Sequence, residues 1–487
     1  MKEHLNEEQK KAVQVGDGPV LVIAGAGSGK TSVLINRICF LINEKKIKPD
    51  NILAVTFTNK AAHEMKDRIK SRGQKHQITK DYNRLWIGTF HATCVRILHH
   101  FIEKLGYQRN FNIYDKKDSI RMTKKCIKQI DLDTSQYQPK LVYHIIEKAK
   151  NQLIDETLFM EEAIGFYNKK IGQIYRVYQN EMKNSNSLDY SDLIMKVNQL
   201  FKQYPDVLAY YQNKFNHILV DEYQDINHAQ YVLIKQLSQK NNNIFVVGDP
   251  DQSIYRFRGA ELSNIIHFEE DFPRCSIIKL EQNYRSSNII LEGASFLIKN
   301  NRFRKDKDLW TKKRGGKKIS YFEANSANNE AEFVANEMSR IKNDKNEPWN
   351  HFVILYRTNA QSRAFEEIFA KSNIPFKLIG GIRFYERKEI KDLIYLMKLI
   401  DNPHDQESVS RWLEMDKMGI GEKTFTKIKE DAEKGNKTIL EILPDYLNKS
   451  GKRINQENKE KILHYVKVFN TLKNNETQSI SSKINQL

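Results

Sequence analysis

Val20-Leu21-Val22-Ile23-Ala24-Gly25-Ala26-Gly27-Ser28-Gly29-Lys30-Thr31 is the stretch that decides the fold. Four apolar residues in succession are the pattern of a short strand buried on both faces of a parallel sheet. The run leads straight into a glycine-rich loop, Ala24 to Thr31, whose backbone lets several N–H groups converge on phosphate oxygens. There Lys30 can reach the β and γ phosphates of a nucleotide such as ATP, and the Thr31 hydroxyl can ligate Mg²⁺. Leu34, Ile38, Leu41 and Ile42 follow at i, i+4, i+7 and i+8, so the spacing predicts a helix whose positive N-terminal end faces the anion. Ala24 stands where the general pattern has glycine, a small-for-small change.

Two further strands carry the carboxylates such a loop needs. Ile218-Leu219-Val220 ends in Asp221-Glu222-Tyr223-Gln224-Asp225. Asp221, at the end of a core strand, is the expected Mg²⁺ ligand, and Glu222 beside it is the candidate general base for an attacking water. An acidic pair at a strand end is by itself often a solvated turn; the phosphate loop tips the balance to chemistry. Ile244-Phe245-Val246-Val247 opens into Gly248 to Gly259, in which Gln252 is a candidate γ-phosphate sensor. Tyr255, Phe257 and Arg258 in the same loop offer ring faces and charge for stacking on single-stranded bases. From pattern alone, Tyr255 and Phe257 read equally well as core residues.

The chain has 487 residues, enough for two to four domains. Lys and Arg number 79 against 61 Asp and Glu, a net charge of +18, which favours a polyanionic partner. No apolar run of spanning length and no signal-peptide pattern appear, so no membrane is expected and the cytoplasm is the default location. Cys39, Cys94, Cys126 and Cys275 are far apart, which argues against a zinc site or a disulfide framework. Gly and Pro are scarce, so domains are expected to join by insertion rather than through flexible linkers.

Taken together these segments resemble the superfamily 1 DNA helicases of the UvrD/PcrA/Rep type over nearly the whole chain. Leu5-Asn6-Glu7-Glu8-Gln9 looks like the family's adenine-reading segment, which implies Gln9 on the base edge. Ala54 to Ala62, with Phe57, Thr58 and Asn59, and Gly88-Thr89-Phe90-His91 look like segments that contact single-stranded DNA. Asp221 to Asp225 and Gly248 to Gly259 are similar to two more. Gln282-Asn283-Tyr284-Arg285-Ser286 is similar to a segment in which the tyrosine stacks on adenine and the arginine reaches the γ-phosphate, making Arg285 an arginine finger. Tyr356 to Arg363 looks like the next, beginning in a strand, and Leu188 to Leu193 implies Tyr190 near the DNA path. Ala62, Met65 and Ile69 at i, i+3 and i+7 predict a helix whose N-terminus follows Thr58-Asn59, a capping pair that could also hold a DNA phosphate. Phe257 replaces the family's usual tryptophan, and Ile226 its common threonine.

The resemblance implies an α/β fold of RecA-like parallel-sheet motor domains with inserted helical subdomains. The expected partition is a first motor domain at 1–105 and 195–281, a helical insertion at 106–194, the start of a second motor domain at 282–376, and the start of a helical accessory insertion at 377–487. Its implied function is ATP-dependent 3′ to 5′ movement on single-stranded DNA and unwinding at duplex/single-strand junctions, with ATP and Mg²⁺ as cofactors. Two late motifs of the family, one carrying a second arginine finger, are not found after Arg363, so the chain is expected to be C-terminally truncated. Loss of one arginine finger can cost roughly 10³ to 10⁵ in turnover. The alternative is therefore a protein that binds ATP and single-stranded DNA without unwinding. Two weaker features remain: a hairpin signal at Gly419-Ile420-Gly421, and Arg302 to Lys318, with nine Lys or Arg against two Asp, as either a DNA-tracking stretch or a solvated loop.

Overall fold

The computed structural model describes residues 5–75, 84–301, 305–379, 388–415, 418, 420–435, 437–449, 454 and 456–474. Its chain falls into two compact units, 1–317 with 398–476, and 318–397 with 477–487.

The first unit is organised by a six-stranded parallel sheet. Its strands are β1 (Val20–Ala24), β2 (Ile52–Thr56), β3 (Trp86–Thr89), β6 (His217–Val220), β7 (Ile244–Gly248) and β8 (Ser276–Leu280). They lie in the order β3-β2-β6-β7-β1-β8. A parallel neighbour cannot be reached by a hairpin, so each connection crosses over, and helices cover both faces. This explains the apolar runs noted in the sequence: Leu21 and Ile23 enter one core with Val55, Val220 and Val246, while Val20, Val22 and Ala24 enter the other with Ala54, Leu219 and Val247. α2 (Lys30–Asn43) begins at Lys30 and buries Leu34, Ile38, Leu41 and Ile42 as the spacing predicts. Among the described residues no helix is long and apolar enough to cross a membrane.

Strand order matters for function because β6, β7 and β1 are immediate neighbours. Their C-terminal ends lie along one sheet edge, within roughly 10 Å given the usual strand spacing of about 4.8 Å. In parallel sheets, ligands sit outside that edge.

The chain between β3 and β6 builds a second, mainly helical core around a two-stranded parallel pair, β4 (Asn112–Tyr114) and β5 (Ser187–Asp189). Tyr114, Met122, Tyr143, Tyr175 and Tyr178 fill it. At its base the fully buried Lys150 ammonium meets Asp189 at 2.7 Å and Asp192 at 2.9 Å. Burial alone would favour the neutral amine; the two carboxylates outweigh it and hold Lys150 above its ordinary pKa. The helices of 398–474 dock on this core: Asp405 accepts hydrogen bonds from Asn112 Nδ2 and Tyr114 OH, each at 2.8 Å.

The second unit packs helices Ala327–Lys345 and Ser362–Lys371 through Ala331, Ala335, Ile368, Phe369 and Ile374. The strand expected to lead into Tyr356 is not formed among the described residues. Phe352 to Tyr356 is extended but has no ladder partner, and Val353 and Leu355 are 80% and 88% exposed. A strand exists only through its neighbour's hydrogen bonds, and no neighbouring strand is present among the described residues of this unit. Gly419 lies outside the described residues, as do the side chains of Glu422 and Lys423, so the hairpin signal there is not resolved into a motif.

Candidate nucleotide site and nucleic-acid interface

The loop after β1 folds on itself: Ser28 donates through its Oγ to Gly25 O at 2.8 Å. Gly27 and Gly29 have φ of +67° and +92°, a region that favours glycine, and Gly29 is the N-cap of α2. Two outside segments brace the loop. From one side, Gln9 donates Nε2 to Ser28 O at 2.9 Å. Its Oε1 accepts from Asn6 N at 3.0 Å, closing the capping box of α1 (Glu7–Gln14). From the other, Asn283 Nδ2 donates to Ala26 O at 2.6 Å and Tyr284 N to Gly27 O at 2.9 Å. The Asn283 Oδ1 also accepts from the backbone N–H of Arg285 and Ser286, so one side chain shapes the turn that carries Arg285.

Arg285 and Tyr284 are both exposed beside this loop, and Tyr284 OH donates to Gln282 Oε1 at 2.9 Å. That same Gln282 oxygen accepts from Asn6 Nδ2 at 3.3 Å, which joins the adenine-side candidates into one cluster. Gln9 is buried, and both ends of its amide are engaged within the protein. Contact with a base edge would require one of those bonds to be shared or exchanged.

Asp221 leaves β6 buried, with Glu222 N donating to its Oδ1 at 3.1 Å. Burial first, and the neighbouring Glu222 charge second, push its carboxyl up to about 7, against a smaller downward pull from Lys30. A buried carboxylate so short of positive charge is a fitting donor for a divalent cation. Among the described residues no three His, Cys, Asp or Glu side chains gather into a metal cage.

Glu222 sits in the left-handed region, φ +50°, which turns its side chain off the strand axis. Its Oε2 accepts from Gln224 Nε2 at 2.8 Å. Gln224 Oε1 in turn accepts from Asp249 N at 2.9 Å, at the start of the loop after β7. The Asp249 carboxylate then accepts from Gln252 Nε2 at 2.5 Å. A hydrogen-bonded path thus runs from the candidate base to the candidate phosphate sensor. Gln224 is the link, and although it stands inside the acidic segment, sequence reasoning gave it no role.

The loop after β7 also carries the aromatic cluster. Phe57, just beyond β2, meets Tyr255 with ring centroids 4.6 Å apart, and Tyr255 meets Phe257 at 6.0 Å. Tyr255 is half-buried and Phe257 is 64% exposed, so Phe257 is not the core residue that pattern alone allowed. Thr58 and Asn59 are exposed at the start of α3 (Asn59–Lys75), where Thr58 Oγ1 caps Ala61 N. Beyond β3, His91 lies in the first turn of α4 (Phe90–Phe101), and its ring meets that of Tyr190 edge-on at 5.7 Å. Burial pushes the His91 imidazole down to about 4, so it is neutral at physiological pH. The Arg258 side chain lies outside the described residues.

The basic stretch after Asn301 divides: Lys312, Lys313, Arg314, Lys317 and Lys318 are exposed, as in a solvated loop, while its first lysines are paired. Arg302 and Arg304 lie outside the described residues, but Lys305 pairs with Glu269 at 2.5 Å. Lys307 is buried against Asp249 and Asp251.

A family model described as UvrD/REP helicase N-terminal domain matches residues 5–273, and one described as UvrD-like helicase C-terminal domain matches residues 278–486. ATP-dependent DNA helicase PcrA of Staphylococcus epidermidis strain RP62A is 43% identical over 486 residues, 99% of this chain and 65% of that protein. ATP-dependent DNA helicase PcrA of Staphylococcus aureus strain Mu50 is 44% identical over 458 residues, 93% of this chain and 62% of that protein. The chain therefore spans a little under two thirds of the length of these curated relatives.

Proposed function

From the chain's membership of the UvrD/REP helicase family, we propose that it is an ATP-dependent DNA motor that couples hydrolysis to 3′ to 5′ movement on single-stranded DNA and to unwinding at duplex junctions. The observation that carries this reading is the double engagement of the loop after β7. Gln252, the candidate phosphate sensor, ends the path from Glu222, and a few residues on Tyr255 meets both Phe57 and Phe257 in tilted ring contacts. A change at the phosphates has only this short, hydrogen-bonded segment to cross before it reaches rings able to stack on bases.

In this reading Lys30 and Arg285 bind the β and γ phosphates, Gln9 and Tyr284 the adenine, and Glu222 takes the proton of the attacking water. Mg²⁺ held by Asp221 and Thr31 would neutralise phosphate charge. Phe57, Thr58, Asn59, His91, Tyr190, Tyr255, Phe257 and Arg258 would grip the strand, with neutral His91 acting by contact rather than charge. The proposed partition keeps the motor domain at 1–105 and 195–281, its insertion at 106–194, a second motor segment at 282–376 and an accessory segment from 377, acting in the cytoplasm. A chain that binds without turnover is the less favoured reading, since the relatives above are named as helicases.

Steady-state ATP hydrolysis with and without single-stranded DNA tests the proposal. Stimulation by DNA, abolished in Lys30→Ala, is expected. A folded chain that binds ATP but shows no response to DNA would sink the motor reading.

A further inference from the structure

Lys307, in the basic stretch that the nucleotide chemistry above leaves unused, is among the most buried lysines of the described residues. Its side chain is 2% exposed, as is that of Asp249. The ammonium donates to Asp249 Oδ1 and, at 2.7 Å, to Asp251 Oδ2. The other oxygen of the Asp249 carboxylate accepts from Gln252 Nε2 at 2.5 Å. One carboxylate is thus held from two sides, by the ammonium of Lys307 and by the amide of Gln252. Asp249 is also the residue whose backbone N–H meets Gln224, the partner of Glu222.

The segment that brings Lys307 there is itself fixed against the phosphate loop. Asp308 N donates to Glu281 Oε1 at 2.9 Å, Trp310 N to Glu281 O at 3.1 Å, and Asn283 N to Trp310 O at 2.7 Å. Leu309 lies against Gly25, where an added Cβ would stand 2.1 Å from its Cδ2. Residues 305–310 therefore form a strap anchored to Glu281 and Asn283, touching the phosphate loop through Leu309 and the loop after β7 through Lys307.

We propose that Lys307 is a positioning residue: by holding the Asp249 carboxylate it fixes the Gln252 amide in the orientation that senses a γ-phosphate. The inference rests on the reading of Gln252 as that sensor. A buried carboxylate deprived of its ammonium leans harder on the donors it keeps, the Asp251 N–H at 3.1 Å and the Gln252 amide at 2.5 Å. Gln252, already bonded to Asp249, would then be locked there and kept from the nucleotide. The nucleoside and the α and β phosphates, held elsewhere, would be recognised as before.

The test is equilibrium binding of ADP and of ATPγS to the full 487-residue chain and to Lys307→Met, Lys307→Arg and Gln252→Ala, with melting temperatures measured alongside. For Gln252→Ala and Lys307→Met alike, the preference for ATPγS over ADP should fall about tenfold, the scale of one hydrogen bond to a charged group. ADP affinity should stay within about twofold, and Lys307→Arg should keep most of the preference. If Lys307→Met does not fold, Lys307→Gln takes its place with the same expected loss. Preserved preference in Lys307→Met overturns the proposal, and so does an equal loss of ADP and ATPγS, which would mark a merely structural strap. If Gln252→Ala also changes nothing, the sensor reading has failed; if Gln252→Ala loses the preference and Lys307→Met keeps it, only the role of Lys307 has failed.

Discussion

The backbone at Glu222 offers a stability measurement that also bears on catalysis. Glu222 occupies φ +50°, ψ 47°, where a residue with a Cβ costs about 1–2 kcal/mol relative to the right-handed region. The conformation is imposed from both sides. Asp221 N is bonded to Val55 O at 2.9 Å, and Tyr223 is buried edge-on against Phe268, with centroids 5.6 Å apart. Substituting Ala and Gly in turn removes the carboxylate and its Gln224 bond from both variants, leaving only the Cβ as the difference. At an ordinary site Ala exceeds Gly in stability by about 0.4–1 kcal/mol, through the unfolded chain. Here the left-handed penalty opposes and outweighs that, so Glu222→Gly should be the more stable by about 0.5–1 kcal/mol. In thermal melts, followed by circular dichroism, that is roughly 1–4 °C for a domain of about 200 residues. Both variants should bind ATP and fail to hydrolyse it. An alanine variant as stable as the glycine one would refute the strain argument, and turnover in either would remove Glu222 as the base.

Other expectations follow from single contacts. Gly25→Ala places a Cβ 2.1 Å from Leu309 Cδ2 and should weaken nucleotide binding, with Leu309→Ala in the same chain restoring it; no rescue would mean that the backbone, not Leu309, sets the requirement. Gln9→Ala loses a capping box and leaves Ser28 O without its buried donor, so about 1–3 kcal/mol of stability should go, with discrimination of ATP from GTP reduced; a melt like that of the unaltered chain would contradict this. Lys150→Met strands Asp189 and Asp192 in a dry core and should cost about 3–5 kcal/mol in denaturant unfolding, where a loss under about 1 kcal/mol would show the cluster to be relaxed. Glu407 is pushed up to about 7, burial outweighing its pairing with Arg121. Between its unfolded value of about 4.3 and pH 7 the folded chain holds a proton that the unfolded chain releases, so this group's contribution to stability falls as pH rises through that window. Glu407→Gln should flatten that slope in melts taken across it, and an unchanged slope would assign it to other groups.

What could be read from the sequence, and what could not, divides along physical lines. The central sheet was legible because parallel strands buried on both faces must be short continuous apolar runs, and Val20–Ile23, Ile218–Val220 and Ile244–Val247 are such runs. The helix after the phosphate loop was legible because its buried residues recur at helical spacing. Phe257 was ambiguous because an exposed ring in a loop has no period to mark it. The strand expected before Tyr356 illustrates the opposite limit: local sequence can favour an extended chain, but pairing depends on a neighbour that local sequence does not contain. Lys307 was hidden for a related reason. In a stretch of nine basic residues nothing distinguishes the one that meets Asp249 and Asp251, 58 and 56 positions away, from those left in solvent.

These hidden partners share a property that bears on how the site works. Gln224, Asn283 and Lys307 make no expected contact with nucleotide or DNA, yet each makes at least two hydrogen bonds at once: Gln224 to Glu222 and Asp249, Asn283 to Ala26 and the backbone around Arg285, Lys307 to Asp249 and Asp251. Two candidate phosphate-site side chains, Glu222 and Gln252, therefore rest on a partner that is itself committed elsewhere, Gln224 and Asp249. A side chain held in this way cannot reorient without leaving a buried polar atom unpaired, at about 1–3 kcal/mol. Displacement of Gln252 or Glu222 by a bound γ-phosphate must then move Asp249 or Gln224 as well, and with Asp249 the loop that carries Tyr255 and Phe257. Coupling between nucleotide and rings would come from shared buried hydrogen bonds, and Gln224→Ala, which cuts the path at its middle, should separate ATP binding from its effect on DNA affinity.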